Sequence, residues 1–174
     1  MGAHRILVIG CSGAGKSTLA KVIAQRHRLP LIHLDRAYWR PGWIAPSEPE
    51  WTAEVERLIA EPEWVMDGNY SSTMARRAEL ADAIVFLDLP RWLCLLRVLR
   101  RALLGYGRSR PDVAPGCPER FDWAFLKWVW NYPKRSRPKT LALLRAYPGS
   151  AVILHSNGEI RRWIAAGFPF RAPG

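Results

Sequence analysis

The stretch Gly10-Cys11-Ser12-Gly13-Ala14-Gly15-Lys16-Ser17 reads G-x-x-x-x-G-K-S. Its glycines let the backbone curl so that successive N–H groups point to one concave side, where they suit the oxygens of a polyphosphate. Gly10, Ser12, Gly13, Ala14, Gly15, Lys16, Ser17 and Thr18 are therefore the expected phosphate cradle. Lys16 is placed to neutralise the outer phosphates, and the Ser17 hydroxyl to ligate Mg²⁺. The flanks decide the fold. Arg5-Ile6-Leu7-Val8-Ile9 is a short apolar run, as in a strand buried on both faces. Leu19, Val22 and Ile23 then recur at helical spacing, so a helix N-terminus, with its positive dipole end, faces the phosphates.

Working outward, strand and helix patterns alternate along the chain, which predicts an α/β domain with a parallel sheet. Strands are expected at 5–10, 31–34, 64–67, 84–88 and 151–155. Helices are expected at 15–27, 51–60, 72–80, 91–104, 119–131, 139–146 and 158–166, with a break at Pro133. An aromatic, proline-rich loop covers 36–50, and a loop rich in Gly, Pro and Arg covers 105–118. A loop that long in a small domain reads as a lid, with Gly105, Gly107 and Gly116 as hinges. Neither a repeat nor a linker interrupts the 174 residues, so one domain is expected over 1–174.

The formal charge of +11 is lopsided. Residues 1–90 sum to −1 and residues 146–174 to +2, whereas residues 91–145 carry +10. A polyphosphate held inside the fold and a polyanion such as nucleic acid on its surface both fit that excess. No apolar run reaches spanning length and no leader pattern opens the chain, so a cytoplasmic protein without a membrane partner is expected, as monomer or homodimer. Cys11, Cys94 and Cys117 are odd in number and lack metal spacing, which reads as reduced thiols, with Cys11 open to alkylation in the loop.

In an open parallel sheet, ligands bind beyond the C-terminal ends of the strands. After the phosphate loop, those ends carry Asp35-Arg36, Asp67-Gly68-Asn69-Tyr70, Asp88-Leu89-Pro90 and His155-Ser156-Asn157-Gly158. Three of these strand ends bear an aspartate. Asp67 or Asp88 is expected beside Ser17 at the Mg²⁺, Asp35 is expected to orient or deprotonate an acceptor, and Asn157 is expected at the nucleotide.

These residues resemble the adenylate-kinase-like P-loop kinases. Asp67-Gly68 is similar to the start of the D-G-F-P-R motif, and Asp88-Leu89-Pro90 with Arg97 and Arg101 is similar to the aspartate–proline turn and paired lid-helix arginines. The resemblance implies a nucleoside-monophosphate-kinase-like, three-layer α/β/α fold with a five-stranded parallel sheet. It also implies that Arg97 stacks on the adenine of ATP and that Arg101 touches its phosphates.

A closer likeness spans nearly the whole chain. His33-Leu34-Asp35, Tyr38-Trp39, Pro41-Gly42-Trp43, Asp67-Gly68-Asn69-Tyr70-Ser71-Ser72, Phe86-Leu87-Asp88, Pro90-Arg91-Trp92-Leu93-Cys94, Arg110-Pro111-Asp112, Gly116-Cys117-Pro118-Glu119, Phe121-Asp122-Trp123 and Pro133-Lys134-Arg135-Ser136-Arg137-Pro138 resemble the DNA topology modulation protein family, which is adenylate-kinase-related. That resemblance implies a P-loop kinase fold and ATP binding. The sequence departs from adenylate kinases after Asp67-Gly68, where Asn69-Tyr70-Ser71 stands in place of Phe-Pro-Arg. Arg76 or Arg77 is then the candidate to hold an acceptor phosphate. Asp35, Trp39, Arg40, Asn69 and Tyr70 complete the expected acceptor site, within an acceptor segment of about 36–62.

Two readings follow. In the first, ATP and Mg²⁺ sit on residues 10–18, and Arg108 and Arg110 from a lid at about 105–120 close over the γ-phosphoryl group with Arg101, Arg135 and Arg137. The acceptor is a nucleotide or a small molecule. In the second, the same cations contact DNA under nucleotide control, without turnover. The absence of any recognisable base-reading module favours the first.

Overall fold

The computed structural model describes residues 3–170. Five parallel strands run β1 (Arg5–Gly10), β2 (Leu31–His33), β3 (Trp64–Asp67), β4 (Ala83–Leu87) and β5 (Ser150–Leu154), in spatial order β2-β3-β1-β4-β5. Ile6 pairs in register with Val65 on one side and Ala83 on the other, so the strand leading into the phosphate loop is central. Every residue of β3 and β4 is buried, as is β1 beyond Arg5, which explains their unbroken apolar runs. The helices are α1 (Lys16–His27), α2 (Leu34–Tyr38), α3 (Glu48–Ile59), α4 (Met74–Leu80), α5 (Arg91–Leu104), α6 (Trp123–Arg135), α7 (Arg137–Ala146) and α8 (Asn157–Ala165). The architecture is the parallel α/β sheet read from the alternation, in the three-layer, five-stranded form that the resemblance implied.

Three expectations need correction. The chain after β2 is not loop from residue 36. It turns at once into α2, because fully buried Leu34 pins the turn, and the Trp39 N–H reaches the Asp35 carbonyl at 3.2 Å. Asp35 therefore lies in the first turn of a short helix rather than at a strand end. Next, α3 starts at Glu48, three residues before the first apolar residue of its stripe. Ser47 and Glu50 form a capping box, and Pro49 occupies the first turn, where its missing N–H costs nothing.

Last, α6 begins at Trp123, where the Asp122 carboxylate accepts from the Phe125 N–H at 3.0 Å, and it runs through Pro133 instead of breaking there. A proline inside a helix leaves the carbonyl four residues earlier unpaired. Here that carbonyl is Val129, and the Cys11 thiol of the phosphate loop lies 3.9 Å from it.

The 105–118 segment is held in place at several points. Glu119 N–H bonds the Arg108 carbonyl at 2.9 Å and Gly42 N–H bonds the Gly116 carbonyl at 2.8 Å. Val113, Ala114 and Cys117 form a small buried cluster under Trp39 and Trp43.

Candidate active site

The phosphate loop is shaped by its walls. Gly13 adopts φ +81°, and a Cβ there would lie 2.3 Å from the Cys94 carbonyl oxygen, so the loop runs against the backbone of α5. Gly15 precedes α1 with no side chain capping that helix, which leaves first-turn N–H groups directed into the loop. Lys16 Nζ donates to the Cys11 carbonyl at 3.1 Å, folding its charge over the loop. Ser17 is half-buried and Thr18 exposed in the same turn. The arrangement fits a nucleotide polyphosphate, with backbone donors around the loop and the Lys16 cation over it. It also fits Mg²⁺. No cluster of three or more His, Cys, Asp or Glu exists among the described residues, but Mg²⁺ on a nucleotide needs only one or two protein ligands.

Arg97 and Asn157 converge on this loop. Arg97 Nη1 donates to the carbonyls of Gly13 and Ala14 at 3.3 and 3.4 Å, and its Nη2 donates to Asn157 Oδ1 at 2.9 Å. Arg101, one turn further along α5, pairs with Glu119 at 3.1 Å, and Arg110 of the 105–118 segment pairs with the same Glu119 oxygen and with Asp112 at 2.8 Å. Burial lowers the Arg101 guanidinium pKa, and neighbouring Arg110 adds to that effect. Arg97, Arg101, Arg108, Arg110 and Glu119 line a cleft of about 510 Å³. A second cleft of about 370 Å³ is lined by Arg36, Pro111 and Val113, and shares Ser109 and Arg110 with the first. Arg110 therefore stands where the two meet.

In the first turn of α2, Asp35 Oδ1 accepts from the Tyr70 hydroxyl at 2.7 Å. Burial and then the Asp35 charge push the phenol far above its ordinary range, so it remains a donor. The Tyr70 ring packs at a tilt against Tyr38 and Trp51, which meet each other edge-on, with centroids 4.5–4.9 Å apart. At the end of β3, His33 Nδ1 and Asp67 Oδ1 lie 2.6 Å apart, and that hydrogen bond raises the His33 pKa against the effect of its burial.

Several expected site residues are engaged elsewhere. Arg77 is fully buried, and its guanidinium is spent on the carbonyls of Gly68, Asn69 and Tyr70 and on the Thr73 hydroxyl, so it braces the turn after β3 and meets no acceptor. Arg76 pairs with Glu56 and Glu79 on the exposed face of α4, both at 3.0 Å. Asn69 grips the Gly10 backbone, accepting from its N–H and donating to its carbonyl. Arg40 pairs with Glu50 at the surface, 2.8 Å apart. Trp39 packs on Trp43 and the lid cluster rather than projecting into a cleft. Asp88 is bound through both oxygens by Arg137, at 2.7 and 2.8 Å, with His155 at 3.3 Å. That pairing removes Asp88 from the metal set and Arg137 from the lid. Arg135 is exposed at the end of α6.

Cys11 is 3 % exposed and lies against Cys94, whose hydrogen bond, with burial, pushes the Cys11 thiol up; this loop thiol is closed to alkylation. Sequence reasoning passed over Arg36 and Glu119. Arg36 was legible as the neighbour of Asp35, whereas the double pairing of Glu119 arises only when the lid folds back on α5.

No protein-family model and no curated protein sequence matches the chain. Solved structures do match. The chain is similar to a shikimate kinase from Bacteroides thetaiotaomicron at 16% identity and TM-score 0.56, covering 95% of this chain and 96% of that one. It is also similar to the shikimate kinase from Acinetobacter baumannii, solved in complex with shikimate, at 18% identity and TM-score 0.60, covering 94% of this chain and 89% of that one. What these likenesses establish, with the sheet order and the glycine loop, is the fold: this chain has the P-loop, nucleoside-monophosphate-kinase-like α/β architecture.

Proposed function

We propose that this chain is an ATP-dependent phosphotransferase acting on a hydroxyl group of a small-molecule acceptor. The observation that carries the reading is the place of Arg110, between a cleft that reaches Arg97 beside the phosphate loop and a cleft that reaches Arg36 beside Asp35. A cation at such a junction offsets the charge of a phosphoryl group in transit, which supplies most of the catalysis in this reaction class. Bound ATP with Mg²⁺ supplies the transferable group. The loop N–H groups and Lys16 would hold its phosphates, Arg97 and Asn157 would flank its base, and Ser17 would ligate the magnesium, with Asp67, hydrogen-bonded to His33, as the remaining strand-end carboxylate for its shell. Asp35, oriented by Tyr70, accepts the proton of the acceptor hydroxyl. Arg101, Arg108 and Arg110 close from above.

A hydroxyl acceptor is favoured over a nucleoside monophosphate because Arg76 and Arg77 are both engaged away from the site. The shikimate bound to the Acinetobacter baumannii protein is in keeping with that choice.

The test follows ADP release from ATP–Mg²⁺ with a panel of hydroxylated metabolites, nucleosides and nucleoside monophosphates. Acceptor-dependent release with a hydroxylated compound, abolished in Lys16→Ala, is expected. A protein that binds ATP yet releases no ADP with any acceptor overturns the reading. Salt-sensitive, ATP-responsive DNA binding in that protein would support the topology-modulation reading instead.

A further inference from the structure

We infer that the outer face of α5 and α6 docks on the surface of an anionic lipid bilayer. The inference does not depend on the proposed reaction. On α5, Trp92, Leu96 and Leu103 fall on one side of the helix, and Trp92 and Leu103 are 62% and 69% exposed. The opposite side carries buried Cys94, Val98 and Ala102. On α6, Trp123, Lys127, Trp130 and Lys134 share one face, with Trp123 76% exposed. The two helices pack side by side, and at their edge the Arg91 guanidinium lies over the Trp130 ring at 4.0 Å from its centroid.

Neither helix contains an acidic residue. The nearby acids are already committed. Asp112 and Glu119 are paired with Arg110 and Arg101, and Asp122 caps α6. The outer sides of α5 and α6 therefore carry large apolar side chains together with Arg91, Lys127 and Lys134, which have no acidic partner among the described residues, and this suits an occupant that is anionic and also accepts aliphatic groups.

A second copy in a symmetric dimer would set cation against cation. Nucleic acid suits the cations, but it offers nothing to Leu96 and Leu103, and the Trp130 ring face is already covered by Arg91. An anionic bilayer accepts all three groups: leucines at the acyl boundary, tryptophans at the headgroup level, and lysines and arginines against the lipid charge. No helix among the described residues is long and apolar enough to cross a membrane, and a helix pair lying in the interface need not be. Arg97 and Arg101 point to the phosphate loop and lid, so docking leaves them in place.

The test is co-sedimentation of the full chain with vesicles of phosphatidylglycerol and phosphatidylcholine, against vesicles of phosphatidylcholine alone. Binding to the anionic vesicles only, weakened by salt, is expected. Trp92→Ser with Leu103→Ser should weaken it roughly tenfold or more, and Lys127→Gln and Lys134→Gln by about fivefold each, with melting temperatures unchanged because all four residues are exposed. Three results overturn the inference: no partition onto anionic vesicles; partition that ignores the Trp92 and Leu103 changes; or a single-stranded oligonucleotide, or a dimer seen by sedimentation equilibrium, that the same changes abolish while vesicles are not bound.

Discussion

Asn69 holds both backbone groups of Gly10: its side-chain oxygen accepts from the Gly10 N–H at 3.1 Å and its amide donates to the Gly10 carbonyl at 2.8 Å. The turn after β3 is thereby tied to the entry of the phosphate loop, 59 residues earlier in sequence. Asn69→Ala removes both bonds and should cost about 1–3 kcal/mol, read from urea unfolding. Asn69→Asp keeps the acceptor but loses the donor and sets a negative charge by the loop. It should weaken ATP binding more than Asn69→Ala does, as isothermal titration would show.

Glycine is required at Gly13 for two reasons and at Gly15 for one. Gly13 combines positive φ with a 2.3 Å approach to the Cys94 carbonyl, whereas Gly15, at φ +99°, has only the Arg97 guanidinium within 4.0 Å. Gly13→Ala should therefore abolish nucleotide binding and destabilise strongly. Gly15→Ala should cost about 1–2 kcal/mol of backbone strain and leave a measurable dissociation constant. Equal losses in the two variants would contradict this account of the loop.

Arg77 is the largest fully buried charged side chain among the described residues. Burial pulls its guanidinium pKa down to about 10, which leaves it charged at neutral pH. Arg77→Met strands the carbonyls of Gly68, Asn69 and Tyr70 in the interior and should cost about 3 kcal/mol or more. Arg76→Met, at the neighbouring exposed site, should cost less than about 1 kcal/mol. Denaturant midpoints of the two variants check the contrast.

Glu119 is 6% exposed and receives Arg101 and Arg110 together. Glu119→Gln leaves two close guanidiniums without their common counter-charge. The 105–118 segment should then become a preferred site for limited trypsin cleavage, and added ATP should restore protection if phosphate takes over the role of the carboxylate. Cleavage as slow as in the parent protein would show that the small cluster under Trp39 and Trp43 holds the segment unaided.

The Ser47–Glu50 capping box sets an acid limit on α3. The Arg40 hydrogen bond, followed by those of Ser47, holds the Glu50 carboxyl at about 2, below its ordinary 4.5. A depressed carboxylate contributes stability that is complete above pH 4.5 and disappears as pH falls toward 2. Melting temperatures of the parent should therefore decline more steeply across that window than those of Glu50→Gln.

The periodic elements were legible in the sequence because buried parallel strands and amphipathic helices announce themselves in apolar spacing; β3 and α5 fall on the expected residues. The misses share a cause. Asp35 entered a helix because buried Leu34 pins the turn, and α6 continued past Pro133, where the Cys11 thiol lies by the freed Val129 carbonyl; both depend on contacts distant in sequence. Within the site, Arg97 meeting the loop could be anticipated from the side of α5 that it occupies. Arg77, Asn69 and Asp88 could not, since a charged or amide side chain reads alike whether it faces a ligand or a backbone carbonyl. Only the accounting of buried polar partners separates the two.

The central place of β1 has a consequence for how the molecule comes into being. The phosphate loop leaves the ribosome well before its neighbours in α5 do. Gly13 lies against Cys94, and Arg97, which seals it, is 84 residues downstream. At ordinary elongation speed that interval is roughly 4–17 s, during which the glycine loop has no walls. The loop is thus made well before it can be shaped, and a nascent chain halted before α5 should hold no nucleotide at all.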